Sequence, residues 1–237
     1  MRDRVAAALV RLVAALVPAR MDRALRTRTG GVWGQLEAPV PAGGAVVVAN
    51  HHSWWDAYLA WGLAVHHGRA TGAVMDDAQL DRFRFFTHLG AVPASRPRAA
   101  ARHAAAGAWL VVFPEGRLRP AGPLGPTRAG AAAIARWAGV PVWPVAFRAV
   151  VRGGEHPELY VRGGALLPAG SDAAAADASL AALLGRLDAD LAAAADPEGP
   201  VPGYEAWWQG RARTDERAGW VARLWGGGPG RRQGEST

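Results

Sequence analysis

The run Ala45-Val46-Val47-Val48-Ala49 constrains this chain most, entered from Gly43-Gly44 and left through Asn50-His51-His52-Ser53. Five continuous apolar residues are too few for a helix and do not alternate as a half-exposed strand does, so they read as a buried strand. Trp109-Leu110-Val111-Val112-Phe113 repeats the pattern and is the clearest strand in the chain. Further strands are expected over 72–75, 140–147 and 158–162, with a short extended piece at 91–94 that Pro93 places at an edge or a strand end. Between them, helical patterning covers 54 to about 65, with Ser53 or its neighbour as cap. It also covers 76 or 77 to about 88, stopping before Gly90, and 97–106, 128–138 and 172–195. Strands alternating with helices predict an α/β fold: a single domain with a mixed central sheet flanked by helices.

The domain is expected over residues 31–200. Residues 1–30 form a separate N-terminal segment, in which an apolar stretch is broken by Arg11 and set among Arg2, Arg4, Arg20 and Arg23. It is shorter than the roughly 20 apolar residues a spanning helix needs, and it lacks a small-x-small cleavage site. An amphipathic helix is expected instead, lying in a membrane interface or covering the core. Residues 201–237 are rich in Trp and Arg. Tyr204, Trp207, Trp208, Trp220 and Trp225 suit a membrane-interface belt or a helix packed back on the domain. The glycine-rich end from 226 on is expected to be disordered.

Composition excludes some chemistry. There is no cysteine, which removes thiol nucleophiles, disulfides and zinc–cysteine sites. The formal charge is +7 and, with no lysine in the chain, all of the basic side chains counted there are arginine. That charge suits an anionic membrane, an anionic substrate or a nucleic acid equally. No nucleic-acid motif accompanies the scattered arginines, so no nucleic-acid partner is expected. No P-loop, dinucleotide fingerprint or metal-ligand spacing is present, so neither a metal nor a bound cofactor is expected.

The chemistry lies where the first strand ends. Asn50-His51-His52-Ser53-Trp54-Trp55-Asp56 contains an H-x-x-x-x-D spacing. On a continuous helix the two side chains would diverge by about 140°, so they meet only if the chain turns from strand to helix between them. The pair then has the logic of a general base and its orienter. Asp56 accepts the Nδ1 proton of His51 and leaves Nε2 to take a proton from a hydroxyl. With no G-x-S-x-G nucleophile elbow, that hydroxyl belongs to the substrate.

One such spacing is weak; its company in order is not. Leu89-Gly90-Ala91-Val92-Pro93-Ala94-Ser95-Arg96 follows, then Val111-Val112-Phe113-Pro114-Glu115-Gly116-Arg117, then Val140-Pro141-Val142-Trp143-Pro144-Val145. In these four blocks the chain resembles the glycerolipid acyltransferases typified by lysophosphatidic acid acyltransferase, with their N-H-x-S-x-x-D, G-x-x-x-x-x-R, F-P-E-G-T-R-S and V-P-x-x-P-V motifs. The resemblance implies His51 as base and Asp56 as its partner. It implies Arg96 as a ligand of the acceptor's phosphate, Glu115 and Gly116 as shaping the acceptor site, and Pro141 and Pro144 on the acyl side. Arg128, before the following helix, matches a basic position of the family. The implied reaction passes an acyl group from acyl-CoA or acyl carrier protein, as co-substrate, to a lysophospholipid hydroxyl. The favoured acceptor is 1-acylglycerol-3-phosphate and the product phosphatidic acid. Backbone N–H groups near the turn or the helix N-terminus are the natural oxyanion donors. The implied setting is peripheral, on the cytoplasmic face of a bacterial cell membrane, with the lipid surface as partner.

The third block departs from the family. Arg117-Leu118-Arg119 stands where Thr-Arg-Ser would, so Leu118 occupies the arginine slot. Either Arg117 or Arg119 substitutes, or the acceptor is a non-phosphorylated lipid such as a glycolipid or glycosylated isoprenoid. An inactive lipid-binding protein is the alternative class, against which the intact His51 and Asp56 argue. Trp54, Trp55 and Trp61 suit an acyl channel or, more simply, the core.

Overall fold

The computed structural model describes residues 2–214. Helix α1 (Arg2–Arg28) leads into β1 (Gly31–Leu36) and β2 (Ala45–Ala49), then α2 (Asp56–His66), β3 (Thr71–Met75) and α3 (Asp77–Arg82). A 3-10 helix (Arg84–Leu89), β4 (Val92–Pro93), α4 (Pro97–Ala105), β5 (Trp109–Val112) and α5 (Gly130–Ala138) follow. The remaining elements are β6 (Val142–Val150), β7 (Glu158–Gly163), α6 (Ala173–Ala193) and β8 (Glu205–Gln209). All eight strands form one mixed sheet in the order β4-β3-β5-β2-β6-β7-β1-β8. From β4 to β6 neighbouring strands are parallel. Strand β7 is antiparallel to β6 and parallel to β1, which pairs antiparallel with β8.

Strand β2 lies at the centre of the sheet because both of its faces are apolar and both are covered. Ala45, Val47 and Ala49 join Trp109, Val111, Trp143 and Val145 against Leu59 and Leu63 of α2. The intervening Val46 and Val48 join Leu110, Val112 and Val142 against Ala100 and Ala104 of α4 and Ile134 of α5. Period-two alternation therefore splits one continuous apolar run between two cores. Each buried valine or leucine contributes about 1.5–3 kcal/mol. The small alanine faces of α4 and α5 let these two helices pack against each other on the sheet.

Three elements differ from the sequence expectation. The helix expected from 76 or 77 to about 88 starts under Asp76, whose carboxylate accepts from the N–H groups of Ala78 and Gln79. It breaks at Phe83 (φ −123°, ψ 59°) and resumes as the 3-10 helix, against which α1 packs. The helix expected from Trp54 starts later, at Asp56, because residues 53–55 make the turn. The aromatic segment near the C-terminus is not a helix packed on the domain: Glu205–Gln209 is the edge strand β8. Its partner β1 is hard to read as a strand because Gly31 and Gly34 interrupt it. Gly34 has a steric reason, since a Cβ there would fall 1.9 Å from the indole of Trp207.

Helix α1 divides along its length. Ala24 and Leu25 are buried, whereas Leu12, Val13 and Leu16 are exposed. No helix among the described residues is long and apolar enough to cross a membrane. The expected disordered end, Trp220 and Trp225 lie outside the described residues.

Candidate active site

The four parallel strands β2, β3, β4 and β5 end at one edge of the sheet, and the histidine turn leaves β2 there. Asn50 ends the strand without wasting its neighbour's ladder. Its fully buried amide accepts from the N–H of Phe147 (2.8 Å) and donates to the same residue's carbonyl (3.0 Å). Strand β6 can thus run past β2 with its backbone satisfied, and the next residue, His51, is free to turn.

Asp56 closes that turn. One of its oxygens, Oδ2, accepts from His51 Nδ1 (2.9 Å), His52 N–H (2.7 Å) and Ser53 N–H (2.8 Å). The other, Oδ1, is buried without a hydrogen-bond partner. Ser53 Oγ accepts from the N–H of Trp55 at 3.1 Å and tightens the same loop. Because a carboxylate only accepts, the contact places the His51 proton on Nδ1 and leaves Nε2 with a lone pair. The ring stacks on Phe113 (4.4 Å between centroids, 19° between planes). Its side chain is 27% exposed while that of Asp56 is 1% exposed. An oriented, accessible base with a buried partner results.

The family model for acyltransferases matches residues 34–148, which contain all of these groups. That span is an acyltransferase domain. No curated protein sequence matches it. Among solved structures it resembles the crystal structure of the 1-acyl-sn-glycerophosphate (LPA) acyltransferase PlsC from Thermotoga maritima, at 18% identity and a TM-score of 0.53. The likeness covers 81% of this chain and 83% of that one, and it is a likeness of fold.

In this acyltransferase the loop between β5 and α5 faces the histidine turn. Glu115, 3% exposed, is a brace between the two: it accepts the His51 N–H at 2.7 Å and the Gly125 N–H at 3.0 Å. The Arg119 N–H donates to the His51 carbonyl at 2.8 Å, and the Arg128 N–H to the Pro114 carbonyl at 2.9 Å. Gly116 adopts φ +65°, and a Cβ there would lie 3.2 Å from the Arg128 guanidinium carbon. Glycine suits both the left-handed backbone and the close guanidinium. Arg119 is thus tied to the turn and Arg128 to the loop facing it, Arg117 follows Gly116 in the same loop, and none of the three has an acidic partner within ion-pair distance among the described residues. Arg119 Nε is buried with no hydrogen-bond partner.

Other expected site residues lie farther off. Arg96 leaves the same sheet edge, but three strand spacings from β2, about 14 Å away. It lines a surface depression with Ser95, Arg98, Arg102 and Trp137. Pro144 lies beside Val48 in the β2–β6 register and is buried. Pro141 precedes β6 at the opposite end, its carbonyl accepting from Val46 N–H at 3.0 Å. Five residue steps of strand and turn separate that level from His51, or about 17 Å. Trp54 is 77% exposed and Leu118 55% exposed, so both stand at the mouth of the site and neither fills the core. Trp55 and Trp61 pack against the core.

Five of the N–H groups in the turn are occupied. Those of His51, His52, Ser53, Trp55 and Asp56 bond to Glu115, Asp56, Asp56, Ser53 Oγ and the Ser53 carbonyl respectively.

Behind the turn lies a network that motif reading leaves out. The His52 side chain is 3% exposed, with Nε2 3.6 Å from Glu115 Oε1. Its Nδ1 contacts Arg148 Nη1 of β6. Arg148 forks onto Asp188 of α6 (2.6 and 2.8 Å) and onto the Gly122 carbonyl (2.7 Å). Burial, reinforced by the Arg148 charge, holds the His52 imidazole below its usual pKa. Arg148 is 96 positions from His52 and 40 from Asp188, and no local spacing signals either contact.

Proposed function

We propose that the protein transfers a fatty acyl group from acyl-CoA or acyl carrier protein to the hydroxyl of 1-acylglycerol-3-phosphate, giving phosphatidic acid. The observation that carries this reading is the His51–Asp56 contact at 2.9 Å, which leaves an accessible Nε2 facing a loop of unpaired arginines. His51 takes the proton of the acceptor hydroxyl as its oxygen attacks the thioester carbonyl carbon. The tetrahedral oxyanion collapses with cleavage of the C–S bond, and the imidazolium returns the proton to the leaving thiolate. Asp56 stabilises the imidazolium throughout. Arg117, Arg119 and Arg128 supply charge for the acceptor's phosphate or the developing oxyanion. The Thermotoga maritima protein of the same fold is an LPA acyltransferase, which supports this choice of acceptor.

The enzyme works as a peripheral protein on the cytoplasmic face of the bacterial cell membrane. Exposed Trp54 and Leu118 at the mouth, and Leu12, Val13 and Leu16 on α1, suit contact with an anionic lipid interface.

Leu118 supports a second reading. An exposed leucine in place of an arginine at the mouth favours a non-phosphorylated acceptor, such as a glycolipid or glycosylated isoprenoid. The test is transfer from radiolabelled acyl-CoA and acyl carrier protein to a panel of lysophospholipids and glycolipids, with His51→Ala in parallel. His51-dependent product with lysophosphatidic acid supports the first reading, and product with glycolipids alone supports the second. His51-independent product overturns the proposed base.

A further inference from the structure

Arg148 is a buried arginine at the catalytic end of the sheet with every donor engaged. Nε and Nη2 bind the two Asp188 oxygens, Nη2 also reaches the Gly122 carbonyl, and Nη1 reaches His52 Nδ1 and, at 3.4 Å, the Phe147 carbonyl. A guanidinium has five N–H groups and no acceptor. It therefore dictates the state of its histidine neighbour: Nδ1 of His52 must carry the lone pair, so the proton sits on Nε2, which is buried without a hydrogen-bond partner and faces Glu115 Oε1 at 3.6 Å, a charge–dipole contact. The same arginine holds the β5–α5 loop at Gly122, while Glu115 holds it at Gly125 and holds the histidine turn at the His51 N–H.

We infer that Asp188, Arg148 and His52 form a positioning relay for the catalytic turn, in which Arg148 fixes His52 as the neutral Nε2–H tautomer and His52 steadies Glu115 behind His51. The three residues act through Glu115 and touch no reacting atom. The relay joins helix α6, strand β6, the histidine turn and the arginine loop, four elements that must stay in register for His51 and the arginines to face one substrate. The groups facing His52 are Arg148 from β6, Glu115 from the β5–α5 loop and Asp56 from α2, with Asp188 of α6 behind Arg148. Protonating His52 on Nδ1 sets an N–H against the guanidinium and breaks the relay at its middle.

The relay rests on the acyl-transfer reading for its kinetic consequence but not for its geometry, and the experiment separates the two. Nitrogen-15 NMR of the histidine rings should show His52 as a neutral Nε2–H imidazole whose shifts change in Arg148→Lys. A charged ring or an Nδ1–H tautomer at neutral pH overturns the relay whatever the enzyme's activity. In the acyl-transfer assay, His52→Leu should lower kcat roughly ten- to a hundredfold, the usual scale for supporting hydrogen bonds around a site, with KM for the acceptor little changed. His52→Gln, which can accept from Arg148 and donate to Glu115, should restore most of kcat and flatten the acid limb of its pH profile. Wild-type kcat and pH profile in a folded His52→Leu protein overturn the relay. Activity surviving in His51→Ala overturns instead the reaction on which its kinetic role depends. Asp188→Asn, a change at a half-exposed position, repeats the test without emptying the core.

Discussion

Glu115 accepts the backbone N–H of His51 at 2.7 Å across 64 positions of sequence. Its second oxygen accepts from Gly125, so one buried carboxylate locks the two loops that face each other across the site. Glutamine at 115 keeps the shape but turns one acceptor into a donor aimed at an N–H. Glu115→Gln should therefore cost about 1–3 kcal/mol of stability, read as a lower urea midpoint, and should depress kcat as well. An unchanged midpoint would show that the brace is not formed in solution.

Asp56→Asn tests the orienter. The amide is isosteric with the carboxylate, yet it no longer commits the His51 proton to Nδ1 and cannot balance an imidazolium. The expected loss in kcat is about 10³–10⁴-fold, the scale of the same change in a serine protease triad, with circular dichroism unchanged. A loss of less than about tenfold would mean that Asp56 does not orient His51 for the reaction.

The arginine loop makes a prediction about acceptors. Arg117→Ala, Arg119→Ala and Arg128→Ala should each reduce kcat/KM for lysophosphatidic acid by about tenfold or more, since a charge-assisted hydrogen bond is worth about 1.5–3 kcal/mol. The same variants should change little with a neutral glycolipid. Equal losses on both acceptors would point to the oxyanion as the group these arginines serve.

Stability should fall with acid. Burial is the main cause that holds His52 and His67 below the ordinary histidine value of 6.5, aided by Arg148 at the first and by His66 and Arg69 at the second. Both are neutral in the fold at a pH where the unfolded chain already binds protons. Their contribution is therefore complete above about pH 6.5 and is lost as the pH falls through the window below it. Urea midpoints at pH 7.5 and 5.5 should show this decline, and His52→Gln should reduce it. A midpoint that holds or rises on acidification would contradict the assignment.

Gly34→Ala would place a methyl group 1.9 Å from the indole of Trp207. The indole must move, at a cost of about 1–3 kcal/mol, seen as a lower Tm. Adding Trp207→Ala should make the glycine substitution nearly silent. Additive effects in that double-mutant cycle would show that the two residues do not meet.

The apolar runs at 45–49 and 109–112 made the central strands legible, because a strand buried on both faces leaves a local and continuous signature. His51, Asp56 and Glu115 were legible for a similar reason: the turn chemistry joining strand to helix is short-range, and its residues stand within a few positions of one another or of a strand end. Strand β1 was not, since Gly31 and Gly34 erase the alternation that marks a strand, and its glycines make sense only beside the tryptophans of β8. The break at Phe83 was likewise invisible, because the 3-10 segment is packed under α1 and local propensity does not know its neighbour. The sequence by itself determined the class of the fold and the pairing of His51 with Asp56 across the turn. Only the tertiary structure decided what stands behind them. It ties five of the turn's N–H groups internally, and it sets Glu115 as a brace between the turn and the facing loop. It also sets Arg148 and Asp188 behind His52, contacts between residues 40 to 96 positions apart that only the packing of β6 and α6 against the turn can create.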